Sequence, residues 1–436
     1  MMKIPRRRFL SDSVGGAATL AAVNQLAIRS TAASPNDAVV VAVIGAGGFG
    51  STHVERLVKR QDARIAAICD VDQTRRERAG QMVHAGRGYT PKLVEDFRDL
   101  LNDKSINAFI IATPHHWHAP IAVRAMQAGK DVYVEKPASH VFREGRTMIE
   151  AARKYGRIFQ HGTQMRSSEV LQKAEELLKS GIIGEIKMSK AWTCQKVRIE
   201  QPVPDGTSPP GVNYDLWLGP APAREFNANR LHVYWRAYQA YGNGDIGDDG
   251  AHDLDIARWG LGVTTHPVRI TAHGSRIDLK GEREFPDNMM VAYHYEEGKV
   301  LLYEERDWTP YGNQGFDSGN MVYGTDGYMI FSRRGHFQFY LGPKEERGPG
   351  IATSERRGHP EHLYNFLDCV RTRQQTVAPA EVAHLSCGLI HLGEVAYRVG
   401  RVLHFDPKGE QIVGDAEANA LLTKKYRDPW KMPDPV

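Results

Sequence analysis

The segment VVVAVIGAGGFG, residues 39–50, carries an apolar run of β-type residues directly into a G-x-G-x-x-G pattern. Helix-compatible sequence follows, and in this context the pattern predicts a dinucleotide-binding site. Gly45 allows the tight turn, Gly47 lets the backbone approach a pyrophosphate, and Gly50 lets the helix pack closely. The N-terminus of that helix favours the negative charge of the phosphates. The cofactor contacts predicted in this turn are Gly45, Gly47, Gly48, Phe49 and Gly50.

A second predicted strand, residues 64–69, ends in an acidic residue, Asp70. An acid about 20 residues beyond the last glycine is placed to hydrogen-bond the ribose hydroxyls of a dinucleotide. A carboxylate at this place also repels the additional phosphate of NADP, so NAD is the predicted cofactor. Arg75 and Arg76 lie close enough in the sequence to keep NADP as the less favoured alternative.

The first 33 residues differ in character from the rest of the chain. An R-R-R-F-L run at residues 6–10 precedes a mildly apolar, Gly/Ala-rich stretch at 14–28 and then small residues. This order is typical of a twin-arginine export signal, with cleavage near Ala32 or Ala33. The apolar stretch is too short and too polar for a permanent membrane anchor. We therefore expect an exported, periplasmic protein with residues 1–33 outside its fold.

Composition excludes several classes of protein. The chain has 436 residues, 41% of them hydrophobic, and a formal net charge of +4 carried by scattered basic residues. This charge pattern predicts no nucleic-acid partner, and no later stretch is apolar enough for a membrane helix. The four cysteines show no C-x-x-C spacing, so neither a disulfide framework nor a metal site is predicted. They are Cys69, Cys194, Cys369 and Cys387.

Hydrophobic patterns divide the remaining chain into two predicted domains. Residues 37–161 alternate short strands with helical segments, which predicts an α/β domain with a doubly wound Rossmann sheet. Residues 162–436 predict an α+β domain with a largely antiparallel open sheet and C-terminal helices that pack back on the body. A Pro- and Gly-rich stretch, 201–219, is predicted to be an ordered excursion near the site or an oligomer contact. The predicted strands are 39–44, 64–69, 107–113, 131–134, 157–161, 268–271 and 289–295, and the predicted helices are 119–128, 167–179, 361–371 and 381–402.

Three further motifs follow the glycine turn: T-P-H-H-W-H at 113–118, E-K-P at 135–137 and D-D-G-A-H-D-L-D at 248–255. In this order the four motifs resemble those of the Gfo/Idh/MocA oxidoreductases, the family of glucose-fructose oxidoreductase and inositol dehydrogenase. The resemblance covers nearly all of the chain after residue 33. It implies a nicotinamide cofactor, a substrate site in the second domain and a homo-oligomer formed through the open sheet.

The resemblance also implies catalytic roles. Lys136 matches the lysine that relatives hold between nicotinamide and the substrate hydroxyl, where an ammonium can bind that hydroxyl and help to move its proton. His252 is the predicted general acid/base because imidazole titrates near neutral pH. Asp248 would share a helix face with His252 and bind the same substrate, although Asp249 could take its place. Asp255 is predicted to orient the helix or the imidazole.

The same resemblance places several motif residues beside the nicotinamide and its ribose. His115 stands where relatives commonly have asparagine, and His118 matches the usual histidine, so this cluster is predicted to serve the cofactor rather than a metal. Pro137 is expected to follow a cis peptide bond, as in relatives. The cofactor contacts predicted here are Thr113, Pro114, His115, His118, Glu135 and Lys136.

Aromatic residues crowd the second domain and suit the apolar C–H faces of a sugar or cyclic polyol. Asp245 is a further candidate for binding hydroxyl groups. The predicted substrate contacts are Lys136, Arg166, Tyr234, Arg236, Asp248 and His252.

An export signal and a cofactor site together predict a tightly held NAD, because no exchangeable NAD is expected outside the cytoplasm. A sugar oxidoreductase that reoxidises its own cofactor meets this demand. An NAD-dependent glycosidase, which oxidises transiently, eliminates the substituent and reduces again, also meets it, but it needs a further base, for which Tyr238, Tyr241 or His232 are candidates. A non-catalytic sugar-binding protein and a cytoplasmic inositol-type dehydrogenase are the remaining alternatives.

Overall fold

The computed structural model describes residues 38–197, 201–278, 281–353 and 359–433. The predicted export signal lies outside these residues. Within the described ranges, no helix combines the length and apolarity needed to cross a membrane.

A six-stranded parallel sheet forms the core of the first domain, with the strand order β3-β2-β1-β4-β5-β6. Because the strand order reverses between β1 and β4, the carboxyl ends of these two strands bound the crevice where such sheets bind ligands. The predicted doubly wound sheet is therefore confirmed. Its strands are β1 Val39–Ile44, β2 Ala63–Cys69, β3 Lys92–Val94, β4 Ala108–Ile111, β5 Asp131–Glu135 and β6 Phe159–Gly162. The short edge strand β3 was not predicted, since Val94 is its only buried residue and three residues show no alternation.

Four helices connect these strands: α1 Gly48–Val58, α2 Gln73–Arg87, α3 His115–Gln127 and α4 Phe142–Tyr155. Helix α3 begins at His115, four residues earlier than the predicted start at 119. Its first turn is closed by Trp117 N–H, which donates to the Pro114 carbonyl at 3.0 Å. Residues 115–118, which lie before the predicted helix 119–128, therefore form the first turn of α3. A helical turn fixes their side chains more firmly than a loop would.

The second domain is built on a ten-stranded sheet with the order β14-β13-β12-β11-β7-β10-β9-β8-β15-β16. Only β7 and β10 pair in parallel, so the prediction of a largely antiparallel sheet is confirmed. Its strands are β7 Ile186–Cys194, β8 Arg269–Ser275, β9 Asn288–His294, β10 Val300–Arg306, β11 Ser318–Gly324, β12 Gly327–Ser332, β13 His336–Leu341, β14 Glu346–Ala352, β15 Leu403–Asp406 and β16 Gln411–Ile412. The remaining helices are α5 Glu169–Lys179, α6 Tyr214–Leu218, α7 Gly244–Gly247, α8 Gly250–Leu261, α9 His359–Thr372, α10 Ala380–Val399 and α11 Ala416–Ala420.

Helices α8 and α10 cover one face of the large sheet. Leu254 of α8 and Leu389 of α10 are fully buried in one core with Tyr293 and Tyr303 of the strands. Helix α10 ends at Val399, short of the predicted 402, because Gly400 adopts a left-handed φ of 64° and caps it. This packing holds the amino end of α8 at the edge of the first domain, where the candidate site lies.

Helix α9 returns to the first domain, as predicted for a C-terminal helix. Leu363, Phe366 and Leu367 are fully buried in the same core as Val41 of β1 and Tyr133 of β5. The parallel sheet is thus covered on one face by residues more than 180 positions further along the chain than β6.

A partly buried carboxyl group on α10, that of Glu394, makes stability dependent on pH. Glu394 Oε2 accepts a hydrogen bond from Asn243 Nδ2 at 3.1 Å, while Oε1 is buried with no partner among the described residues. Burial raises the pKa of Glu394 to about 8 from an ordinary 4.5. The folded protein therefore keeps this proton at pH values where the unfolded chain has lost it.

We expect Glu394→Gln to flatten the dependence of the unfolding free energy on pH. Because the pKa of Glu394 is higher in the folded state, its contribution to wild-type stability is lost as pH rises from about 4.5 to about 8. The neutral amide loses nothing in this window, so the variant should gain up to about 1.4 kcal/mol per pH unit relative to wild type. Urea unfolding at several pH values measures this difference. The exposed Glu77→Gln variant is the control, and parallel curves for Glu394→Gln and wild type would contradict the assignment.

Candidate active site

A cavity of about 400 Å³ lies at the carboxyl ends of the parallel strands and extends to the amino end of α8. Both domains contribute to its walls. Most of the predicted site residues line it: Gly45, Gly47, Gly48, Phe49, Asp70, Thr113, Pro114, His115, His118, Glu135, Lys136, Arg236, Asp248 and His252. Four predicted cofactor or substrate contacts do not line it, namely Gly50, Arg166, Tyr234 and Asp245.

The glycine turn between β1 and α1 fits a dinucleotide. Gly45 has a φ of 87°, and a Cβ there would stand 2.7 Å from the Ala112 carbonyl oxygen. A Cβ on Gly50 would stand 1.8 Å from the Gly45 carbonyl oxygen, so Gly50 serves the turn by close packing rather than by lining the cavity. At Gly47 a Cβ would meet only the flexible guanidinium of Arg75. Helix α1 has no acid in its first turn and no side chain capping its N-terminus, so this helix end suits a pyrophosphate.

The carboxylate of Asp70 is held at the end of β2. Its Oδ2 accepts from Ala46 N–H at 2.7 Å, and its Oδ1 accepts from Asp72 N–H at 2.9 Å. Burial raises the pKa of Asp70, and these two hydrogen bonds lower it. The effect of burial is the larger, so the pKa lies above its ordinary value. Arg76 donates to the Asp70 backbone carbonyl at 3.0 Å, whereas Arg75 lines the cavity. The carboxylate is placed where a ribose acceptor is needed, and the structure keeps only one of the two arginines at the cavity wall.

Lys136 and Asp248 form the charged centre of the cavity. Lys136 Nζ donates to the Asp248 backbone carbonyl at 2.7 Å and to the Asp248 carboxylate. Arg236 Nε lies 2.8 Å from the other carboxylate oxygen. Burial raises the pKa of Asp248, but the charges of Lys136 and Arg236 outweigh it and hold that pKa well below its usual range. Asp248 is therefore ionised and fixes both cations. The expected cis peptide bond between Lys136 and Pro137 is present.

Asp248 and His252 do not lie on one continuous helix, so that prediction is wrong. Helix α7 ends at Gly247, and Asp248 has a φ of −92° and a ψ of −90°, outside helical geometry. Helix α8 then begins at Gly250, where a Cβ would lie 2.3 Å from the Tyr303 hydroxyl oxygen. Both side chains nevertheless line the cavity, and His252 is only 9% exposed. The break turns Asp248 toward Lys136 and leaves His252 in the first turn of α8.

The side chains of His118 and Glu135 connect the motifs to one another. The ring nitrogens of His118 lie 2.7 Å from the carbonyl oxygens of Pro137 and Thr113. Glu135 Oε1 lies 2.8 Å from His53 Nε2 and accepts from Gln164 Nε2 at 3.0 Å. Both residues line the cavity, but their polar atoms are engaged by the protein. They position Lys136 and the glycine turn in addition to facing a cofactor.

His115 lies in the first turn of α3, and its Nδ1 is 3.1 Å from Asn243 Oδ1. Burial lowers its pKa well below the ordinary histidine value, so the ring is neutral at neutral pH. Among the residues that the structure describes, one group of three potential metal ligands converges, and it lies away from this cavity. That group is His266, His384 and Glu410, and the Glu410 carboxylate there is paired with Arg146.

Two predicted substrate contacts have other roles. Arg166 Nε and Nη2 each donate to the Asp255 carboxylate at 2.8 Å, and both side chains are almost fully buried. Ser386 Oγ donates to the same carboxylate at 2.6 Å, so Asp255 orients α8, as predicted. Tyr234 packs against a neighbouring aromatic core, and the next residue, Trp235, lines the cavity in its place.

Sequence reasoning missed one cation of the site. Arg333, between β12 and β13, lines the cavity, and its Nη2 lies 2.9 Å from Asp249 Oδ1. Burial lowers the pKa of this guanidinium, but the carboxylates of Asp253 and Asp249 raise it by a larger amount. The pKa therefore lies above its ordinary value, and the side chain is permanently charged. No spacing in the sequence links Arg333 to the α8 motif. Asp249 is thereby occupied by Arg333, which leaves Asp248 as the partner of Lys136.

A parallel sheet with a glycine turn, a strand-end carboxylate and a lysine at its carboxyl edge defines an NAD-binding oxidoreductase domain. A family model described as "Oxidoreductase family, NAD-binding Rossmann fold" matches residues 39–163. Another, "Oxidoreductase family, C-terminal alpha/beta domain", matches residues 177–320 and 353–432. The chain belongs to the Gfo/Idh/MocA oxidoreductase family, and its predicted cofactor, NAD, is confirmed.

Proteins similar to this chain include some named as oxidoreductases and some named as glycosyl hydrolases. An uncharacterized oxidoreductase YrbE from Bacillus subtilis is 25% identical over 291 residues, 66% of this chain and 72% of that protein. A glycosyl hydrolase family 109 protein 2 from Shewanella sp. strain ANA-3 is 30% identical over 221 residues, 45% of this chain. The match spans about half of that relative, 48% of its length. The crystal structure of an aldose-aldose oxidoreductase from Caulobacter crescentus, complexed with glycerol, has a TM-score of 0.64 at 18% identity and covers 84% of this chain and 100% of that one.

Proposed function

We propose that the protein oxidises a CH–OH group of a sugar, glycoside or cyclic polyol, and that it keeps its NAD bound throughout the catalytic cycle. The NADH formed is reoxidised in the same site by reducing a carbonyl group, either of a second sugar or of the oxidised substrate itself. The observation that carries this proposal is the cluster of Lys136, Asp248 and His252, which lies in the same cavity as the glycine turn and Asp70. The similarity to the aldose-aldose oxidoreductase supports a carbohydrate substrate.

The side chains of the cavity divide the work of an alcohol oxidation. Bound NAD supplies the acceptor for the hydrogen and electron pair of the substrate C–H bond. Lys136 has three N–H donors, of which Asp248 takes two, so one N–H can bind the substrate hydroxyl oxygen. His252 is the base that takes the hydroxyl proton and later returns it. Arg236 and Arg333 carry further donors for the other hydroxyls.

An NAD-dependent glycosidase is the second candidate, and similarity to a glycosyl hydrolase family 109 protein favours it. That reaction needs an additional base near the sugar ring. Tyr238 and Tyr241 belong to the aromatic core and do not line the cavity, and burial raises the pKa of Tyr241. His232 lines the cavity, but its Nε2 contacts Asp72 at 2.9 Å. Of these three predicted residues only His232 lines the cavity, and Asp72 holds it at the loop that follows Asp70, the predicted ribose acceptor, so we rank the oxidoreductase first.

We also propose that the protein is exported through the twin-arginine pathway with its cofactor loaded, and that it is a homo-oligomer assembled through the open face of the large sheet. The R-R-R-F-L run at residues 6–10 motivates the first of these statements. Fractionation of the native host tests it. Recovery from the cytoplasm alone would instead support an ordinary inositol-type dehydrogenase.

The experiment that tests the proposed function begins with protein purified from the native host. Denaturation releases any bound nucleotide, which is then identified and counted by mass spectrometry. We expect close to one NAD or NADH per chain, and turnover of sugars or glycosides without added cofactor. An empty site that binds added NAD weakly would contradict the retained cofactor. Intact binding with no oxidation of any sugar would favour a non-catalytic protein.

A further inference from the structure

Residues 206–241, which we name the strap, leave the second domain and lie across the cavity. The strap joins the loop that follows β2 by backbone hydrogen bonds: Gln73 N–H donates to the Gly211 carbonyl at 2.9 Å, and Asn213 N–H donates to the Val71 carbonyl at 3.0 Å. Its contributions to the cavity wall are Leu216, Trp217, His232, Trp235 and Arg236. The attachment point is the loop directly after Asp70, the predicted ribose acceptor.

The strap is a packed unit rather than a loose loop. Its buried side chains form a separate aromatic and aliphatic core, which Phe226 and Tyr214 extend at the edge. That core consists of Trp217, Leu218, Ala221, Leu231, Trp235, Ala237, Tyr238 and Tyr241. A packed unit moves as a whole, so the contacts at its rim determine whether it opens.

His232 forms the most unusual of these rim contacts. Its φ is 67°, a left-handed value that is rare for a residue with a Cβ. Val233 N–H donates to the Leu231 carbonyl at 2.9 Å, which closes a three-residue γ-turn around His232. This turn directs His232 Nε2 to within 2.9 Å of Asp72 Oδ2. Backbone strain of this kind persists where the surroundings impose it and is concentrated at functional sites.

Asp72 is held firmly enough to receive this contact. Its Oδ1 caps helix α2 by accepting from Thr74 N–H at 2.9 Å. The remaining oxygen, Oδ2, faces His232 across the gap between strap and first domain, and Arg75 Nε lies 3.7 Å from the same oxygen. The contact therefore lies two residues beyond Asp70, at the edge of the cavity that the ribose of NAD would occupy.

We infer that His232 and Asp72 form a clasp that closes the strap over the adenosine half of NAD and slows its release. This inference rests on the proposed function insofar as NAD stays bound between turnovers. Departure of the cofactor requires the strap to lift away from the loop after β2. The clasp and the two backbone hydrogen bonds must break for that motion, together with other contacts between strap and first domain, such as Asn213 Nδ2 with Glu95 Oε2 at 2.8 Å. Among these contacts, the clasp is the one made by a residue with a strained backbone.

The test measures the release of NAD itself, without substrate. The purified holoprotein is mixed with an excess of isotopically labelled NAD, and the loss of unlabelled NAD is followed by mass spectrometry. His232→Gly keeps the left-handed turn but removes the imidazole, and Asp72→Asn keeps the helix cap but removes the charge. We expect each variant to release NAD about 10-fold faster than wild type.

Matched controls separate the clasp from general effects of the substitutions. Gln314→Gly relieves an exposed left-handed residue with a φ of 53° outside the cavity, and Asp415→Asn changes the aspartate cap of α11. Both controls should release NAD at the wild-type rate. The double variant of His232 and Asp72 should release NAD no faster than Asp72→Asn alone, because the contact that His232→Gly removes is already lost in Asp72→Asn.

Release at the wild-type rate from both His232→Gly and Asp72→Asn would overturn the clasp. Rapid exchange in the wild type itself would overturn it as well, since the clasp predicts slow release. If one variant does not fold, as judged by circular dichroism, the other decides the question. A protein that releases NAD slowly but oxidises no sugar would contradict the proposed function and leave the clasp standing.

Discussion

Lys136→Ala is expected to lower turnover about 1,000-fold while NAD stays bound. Lys136 Nζ pairs with the Asp248 carboxylate, and that pair lines the same cavity as the glycine turn and His252. Removal of the ammonium leaves the substrate hydroxyl without the donor that stabilises developing negative charge on its oxygen. Turnover by the holoprotein with its best sugar measures the effect, and nucleotide counting after denaturation confirms the cofactor content.

The control for Lys136→Ala is Lys173→Ala, which removes an exposed lysine paired with Glu176 on α5. This control should retain wild-type turnover. A Lys136→Ala protein that turned over sugar at the wild-type rate would exclude Lys136 from the chemistry and leave the enzyme proposal without its central residue. Loss of NAD from the variant would instead assign Lys136 to cofactor binding.

His252→Ala is expected to lower kcat by about 100- to 10,000-fold and to change the pH profile. His252 is 9% exposed and lines the cavity in the first turn of α8. As the proton acceptor, it makes turnover fall on the acidic side, where the imidazole is protonated. The variant should lose that limb of the profile. KM should change much less than kcat, because Lys136 and the arginines still bind hydroxyls.

The exposed residue His404 on β15 provides the matched control for this substitution. His404→Ala should keep both the rate and the acidic limb. An acidic limb that persisted in His252→Ala would contradict the assignment of the base to His252, whatever the fall in rate. Added imidazole that restored part of the lost rate would support the assignment.

The sequence predicted the elements whose signals are local. The run 39–44 is apolar throughout because β1 is covered on both faces, and all but one of its residues are fully buried. Gly50 is required by its contact with the Gly45 carbonyl within the same turn, and Gly45 is required by its φ of 87° as well as by the Ala112 carbonyl, so the spacing of the glycines carries much of the information. Asp70 could be placed for the same reason, since it ends the next strand.

Errors arose where distant residues compete for the same side chain. Arg166 could be expected to bind substrate, but Asp255, 89 positions away, takes its guanidinium in a buried pair. The helix predicted through Asp248 breaks because Tyr303 of β10 packs against Gly250 and Lys136 of the first domain draws Asp248 to itself. No pattern in the sequence marks Arg333 as a site residue. It lies in the turn between β12 and β13 of the large sheet, and its role depends on its contact with Asp249.

The sequence by itself therefore determined the Rossmann domain and the NAD site, because each depends on short-range spacing around a turn or strand end. Its resemblance to the Gfo/Idh/MocA oxidoreductases indicated Lys136 and His252 as candidates. Only the tertiary structure decided which charges meet in the cavity: Asp248 with Lys136 and Arg236, Asp249 with Arg333, and Asp72 with His232. Ion pairs form between side chains whose separation in the folded chain is set by packing. The order of the residues in the sequence does not show which of these side chains packing brings together.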